Sequence, residues 1–123
     1  MENQPEIKTK PTNTPFSVYL SGQITGLHLV EAKGNFERAE MEAIKSFGSV
    51  IGTHERLRIV NPMKIDHNPS AEWEDYMEKD IAQLLRCRGI YMLNNWKFSK
   101  GARIEHAIAV ELGLPVIYQL PKP

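Results

Sequence analysis

The sequence predicts an α/β domain of three layers, a doubly wound parallel sheet of four to five strands with helices on both faces. Three observations predict it. Short apolar runs alternate with longer amphipathic ones, the connections between them are short, and glycine or proline stands at most of their ends. Strands linked through helices pair in parallel, and the right-handed crossover lays those helices against the sheet.

The elements follow in order. Phe16 to Ser21 (FSVYLS) is rich in strand formers and ends at Gly22, which makes it the first strand. A loop with Gly22 and Gly26 comes next. Phe36, Ala39, Ala43, Ile44 and Phe47 then recur at helical spacing, and Gly48 is the expected stop. Leu57 to Val60 reads as a second strand, halted by Asn61-Pro62. Ala71 to Arg86 reads as a second helix with Trp73, Tyr76, Met77, Ile81, Leu84 and Leu85 on one face. Gly89 to Leu93 is a buried third strand, Gly101 to Leu112 a third helix stopped by Gly113 and Pro115, and Val116 to Tyr118 a fourth strand. In the flavodoxin-like order 2-1-3-4, a ligand crevice opens beyond the carboxyl ends of the first and third strands. The loops leaving those strands are Gly22 to Leu27 and Asn94 to Lys100.

Composition narrows the function. The chain has 123 residues, enough for one core, and 15 basic against 15 acidic side chains. A net charge of zero argues against a nucleic-acid binder, whose affinity comes from neutralising many phosphates. One cysteine, Cys87, excludes an internal disulfide and suits a reducing compartment. No apolar run reaches the roughly 18 to 20 residues of a membrane span. Residues 1–15 are polar, carry Pro5, Pro11 and Pro15, and read as a flexible tail rather than a signal peptide. The expectation is a single cytoplasmic domain over 16–123, with no partner nucleic acid or membrane.

Several residues carry candidate chemistry. Asp80 falls at the centre of the second helix's apolar face, between Met77 and Leu84. A carboxylate there costs several kcal/mol unless paired or wetted. Two readings are open: an ion pair with an arginine such as Arg103 or a tilted helix, and a carboxylate facing a pocket. Glu105 lies near the start of the third helix on the row Gly101, Glu105, Ile108, Leu112, which places it inward at the sheet's carboxyl edge. The alternative is that an acid there merely answers the helix dipole. Ser99 heads the same helix, either as a plain N-cap or as part of an anion site with the free amides that follow it. The segment Tyr19-Leu20-Ser21-Gly22-Gln23-Ile24-Thr25-Gly26 has two glycines through which backbone could approach a sugar or phosphate. Its spacing is not that of a dinucleotide fingerprint. Tyr19 has two roles open to it, ligand contact or packing. His28, His54, His67 and His106 lack metal-ligand spacing, with Asp66-His67 at most a partial site, so no metal and no cofactor are expected.

Taken together, YLSGQITG, Asn61-Pro62, the helix carrying Asp80, and SKGARIEHAIAVELGLPVIY resemble the nucleoside 2-deoxyribosyltransferase-like superfamily. The nearest likeness is to a small bacterial and phage branch classed as a domain of unknown function. The resemblance runs from about Phe16 to Tyr118. It implies that Glu105 is the catalytic nucleophile and that Asp80 assists at the base or sugar. It also implies substrate contacts from Tyr19, Ser21, Gly22, Gln23, Ile24, Gly26, Asn61, Ser99 and Gly101. Superfamily members that hydrolyse deoxynucleoside 5′-monophosphates hold the phosphate through a serine and a glycine at the places of Ser99 and Gly101. Where they carry Ser-Ile-Arg after the first strand, this chain has Gln23-Ile24-Thr25, which removes a bidentate phosphate donor. Lys97, Lys100 or a residue of a second subunit is left to supply that charge.

The resemblance thus implies transfer or hydrolysis at C1′ of a 2′-deoxynucleoside or its 5′-monophosphate, by a retaining route through a covalent glycosyl-enzyme. A homodimer or higher homo-oligomer is implied as well. The alternatives are a nucleotide sensor that binds without turnover and an interaction scaffold without a ligand. The scheme requires Asp80 and Glu105 on one face of the sheet.

Overall fold

The computed structural model describes residues 15–51, 56–68 and 70–121. The expected N-terminal tail, apart from Pro15, lies outside the described residues, as does His54. The chain forms β1 (Phe16–Ser21), α1 (Leu29–Ile51), β2 (Leu57–Val60), α2 (Trp73–Leu84), β3 (Gly89–Met92), α3 (Lys100–Glu111) and β4 (Val116–Tyr118). Short 3-10 turns at Pro62–Lys64 and Trp96–Phe98 interrupt two of the connections. The four strands are parallel in the order β2-β1-β3-β4, with Tyr19 opposite Val60 and Ser21 opposite Met92.

The two-residue period of β1 sorts the side chains into two cores. Val18 and Leu20 pack with Phe36, Ala39, Ala43 and Phe47 of α1, joined by Tyr91 and Leu93. Tyr19 faces the other way and packs with Leu84 of α2 and Ala102 and Ala109 of α3, joined by Ile90 and Met92. One helix therefore covers one face of the sheet and two cover the other. At β3 the packing is tight enough to require glycine: a Cβ on Gly89 would stand 2.7 Å from the Phe47 ring.

Three sequence expectations change. Gly48 does not stop α1, which runs on to Ile51, because Gly48 stays in right-handed backbone and Ile51 extends the Phe47 contact with the core. Ile44 is 48% exposed and is not part of the buried stripe. On α2 the stripe is Met77, Asp80 and Leu84, while Leu85 is 56% exposed beyond the helix end. Gly113 does end α3. Its φ of 71° is the left-handed conformation that lets Leu114 donate back to the Ala109 carbonyl. Among the described residues, no helix is long and apolar enough to cross a membrane.

Candidate active site

The buried stripes of α2 and α3 share one pattern. Met77, Asp80 and Leu84 repeat at the spacing of Ala102, Glu105 and Ala109, and in each the middle residue is an acid. Both helices lie on the Tyr19 face, so both carboxylates are carried to the same side of the sheet. There a cavity of about 480 Å³ opens at the carboxyl edge, within the range of small-molecule pockets. Tyr19, Asp80 and Glu105 line it together with Asp66, His67, Trp73, Tyr76 and Met77.

Glu105 is 5% exposed and is gripped from β1. The Tyr19 hydroxyl donates to its Oε2 at 3.0 Å and the Ser21 hydroxyl to its Oε1 at 2.6 Å. Residues 19 and 21 point to the same face because a strand alternates with period two, so one strand supplies both donors. Burial dominates the electrostatics and lifts the Glu105 carboxyl to about 7. The Ser21 and Tyr19 hydrogen bonds oppose that rise, and the nearby Asp80 charge adds to it. The Tyr19 phenol is pushed well above its ordinary range, first by burial and then by the Glu105 and Asp80 carboxylates.

Asp80 has a partner the sequence did not suggest. His67 Nε2 stands 3.1 Å from Asp80 Oδ1, and the two side chains are each 11% exposed. The His67 ring also lies against Tyr76, with centroids 4.4 Å apart. Burial raises the Asp80 carboxyl above its ordinary value, and the charge and hydrogen bond of His67 oppose the rise.

The span that carries this cavity also decides the family. A family model described as a domain of unknown function (DUF4406) matches residues 16–118, the whole sheet and all three helices. The chain belongs to that family. No curated protein and no solved structure matches it significantly.

In this DUF4406 domain, Tyr19, Gly22, Ile24, Asp80, Ser99, Gly101 and Glu105, among the candidate residues of the sequence, line the cavity. Ser21 acts behind it, through Glu105. The other three contacts expected there do not line it. Gln23 lines a second depression with Asn35, Arg38 and Gln119, its side-chain amide donating to the Thr25 carbonyl at 3.2 Å. Gly26 stands in a turn at φ 94°, a conformation that favours glycine, and does not line the cavity. Asn61 is buried beneath the 3-10 turn, accepting from the Met63 amide and donating to Glu40 at 3.2 Å.

Other expectations find different physical reasons. Gly22 lines the cavity, but what forbids a side chain there is protein: a Cβ would stand 2.7 Å from Leu93 Cβ and 3.1 Å from Asn95 Oδ1. Asn95 Oδ1 accepts from the Gln23 amide at 3.0 Å, tying the two crevice loops together. The space beside Gly101 is already bordered by Met77, whose sulfur lies 2.9 Å from where a Cβ would be. Ser99 is the N-cap of α3, accepting from the Ala102 amide at 3.1 Å. Arg103 donates to the Lys97 carbonyl, so it is not the partner of Asp80. Along the row Gly101, Glu105, Ile108 and Leu112, Glu105 is buried, Gly101 and Ile108 are half-buried at the edge of the face centred on Ala102 and Ala109, and Leu112 is exposed.

Sequence reasoning weighed His67 only with Asp66 as a partial metal site, missed its pairing with Asp80, and took Trp73, Tyr76 and Met77 for one apolar helix face. Trp73 and Tyr76 are half-buried and line the cavity. Among the described residues, no group of three or more His, Cys, Asp or Glu is arranged to hold a metal ion.

Proposed function

We propose that this domain carries out N-glycosyl chemistry at C1′ of a 2′-deoxynucleoside or its 5′-monophosphate, with Glu105 as nucleophile. The observation that carries the reading is a buried carboxylate on a cavity wall, held at both oxygens by Ser21 and Tyr19. A carboxylate so held keeps a fixed direction of attack, which is worth much of the barrier in a displacement reaction. Asp80, on the same cavity, is placed to give the departing base a proton. Water or a second base then takes the sugar from Glu105, as in other two-carboxylate retaining reactions. The aromatic edges of Trp73 and Tyr76 suit a flat base. The resemblance of YLSGQITG and the Gly101–Glu105 helix start to the deoxyribosyltransferase-like superfamily supports the same chemistry.

A second reading has one observation in its favour. Burial lifts the Glu105 carboxyl to about 7, so it keeps its proton to higher pH than an ordinary carboxylate does, and a protonated carboxyl binds but does not attack. That property suits a nucleotide sensor. The test is base release from a panel of 2′-deoxynucleosides and their 5′-monophosphates, by wild type and by Glu105→Ala. Release by wild type that is lost in the variant supports the enzyme. Nucleotide binding without release supports the sensor and overturns the enzyme.

A further inference from the structure

We propose that His67 is the proton reservoir of this site: it fixes Asp80 and supplies, through it, the proton that the departing base takes up. The inference rests on the glycosyl-transfer reading and adds to it a residue that neither the sequence motifs nor the proposed roles of Glu105 and Asp80 required.

The geometry is that of a fixed pair. His67 and Asp80 meet at 3.1 Å with both side chains almost wholly removed from solvent. The imidazole is held on a second side by the Tyr76 ring. Its backbone is fastened to the helix that carries Asp80, because Lys79 of α2 donates to the carbonyl of the adjacent Asp66 at 2.7 Å. A histidine that only filled space in the core would not need an acid for a partner, nor would it line the cavity. The other ionisable groups on the cavity wall are Asp66, Glu105, Tyr19 and Tyr76. Among the described residues no lysine or arginine lines it.

The chemistry needs such a store. A nucleobase leaving C1′ takes the electron pair of the C1′–N bond and must be protonated to leave easily. A shared proton on an imidazole–carboxylate pair is available near neutral pH, where an isolated exposed carboxylate has lost its own. In the first step a Glu105 oxygen bonds to C1′ and the C1′–N bond breaks towards the base. The proton of the pair passes through the Asp80 carboxyl group to the base nitrogen, leaving neutral imidazole and carboxylate. In the second step water attacks C1′, the C1′–O bond to Glu105 breaks, and the water proton restores the pair.

The test uses a base that needs no proton. The substrates are the natural 2′-deoxynucleoside cleaved fastest and 7-methyl-2′-deoxyguanosine, whose base is already cationic and leaves neutral. The enzymes are wild type and His67→Gln, which keeps a hydrogen-bond donor but cannot store the proton. The proposal expects His67→Gln to slow release from the natural nucleoside by about 100-fold, while the methylated one changes by less than about 3-fold. The methylated substrate reports on folding at the same time. A wild-type measurement stands beside the variant: the ratio of natural to methylated rates falls as pH rises past neutrality. Equal losses on both substrates, no loss on either, or a ratio flat with pH overturns the reservoir and leaves the glycosyl reading standing. If wild type releases neither base, the glycosyl reading fails and the reservoir fails with it.

Discussion

The side-chain oxygens of Ser21 and Glu105 lie 2.6 Å apart although 84 residues separate them in the chain. Only the parallel order β2-β1-β3-β4, with α3 packed over β1, brings the end of the first strand under the first turns of the last helix. The short distance is that of a hydroxyl donating to a carboxylate, a bond about twice as strong as a neutral one.

Removing that hydroxyl in Ser21→Ala leaves one Glu105 oxygen buried without its donor. Hydrogen bonds to charged groups contribute roughly 1.5–3 kcal/mol, so base release is expected to fall by about 10- to 100-fold in kcat/KM. The Ser21 bond holds the Glu105 carboxyl down, and its loss moves the carboxyl higher still. The ionised form attacks, so the rise of rate with pH, centred near 7 in wild type, moves to higher pH in the variant. Tyr19→Phe shifts it in the same direction by less, since the Tyr19 bond opposes the rise less than the Ser21 bond does. A pH–rate profile of the three proteins checks both statements, and an unmoved acid limb would contradict them.

Glu105 also links stability to pH. Its carboxyl is raised from 4.5 to about 7 in the folded protein, so between those values the unfolded chain has lost a proton that the fold retains. The group therefore costs no stability below its unfolded value, costs progressively more as pH climbs to about 7, and levels off beyond. Glu105→Gln removes the titration. Its stability relative to wild type should improve by up to about 3 kcal/mol between about pH 5 and about pH 8, measured by denaturant unfolding at each. A difference independent of pH would show that Glu105 is not the buried acid described.

The two cavity glycines should respond differently to alanine. At Gly22 the new methyl meets Leu93 Cβ and Asn95, which are fixed by β3 and by the loop-to-loop bond. Gly22→Ala is expected to destabilise the fold by about 1–3 kcal/mol. At Gly101 the methyl meets the flexible end of Met77, which can move aside into the cavity. Gly101→Ala should cost less than about 1 kcal/mol of stability and weaken nucleoside binding, read by calorimetry. Equal stability losses at the two positions would contradict the assignment.

Much of the scaffold was legible because each signal was local. The strand formers of FSVYLS ending at Gly22, the Asn61-Pro62 stop and the Gly113 cap give strand and helix ends directly. The apolar stripe of α2 exposed Asp80 as an anomaly. What escaped reading depended on tertiary contact. His67 sits in a connection with no period, and its meaning arises only where that connection passes α2. Trp73 and Tyr76 obey helical spacing, and nothing in spacing tells an apolar face that meets a sheet from one that meets a cavity. Gln23 was assigned with its neighbours in the loop, but in the irregular stretch before the Thr25–Gly26 turn it lines the second depression instead. Gly48 failed as a stop because glycine ends a helix only where the chain turns left-handed, and here the packing of Phe47 and Ile51 carries the helix on.

The central claim is that Glu105 bonds covalently to C1′. The most direct measurement is intact-protein and peptide mass spectrometry after incubation with a 2′-deoxy-2′-fluoroarabino nucleoside, whose fluorine slows breakdown of a glycosyl-enzyme. The account predicts a fluorosugar adduct on the peptide that contains Glu105, absent from Glu105→Ala. Base release by wild type with no adduct on that peptide, or release that persists in Glu105→Ala, would contradict it.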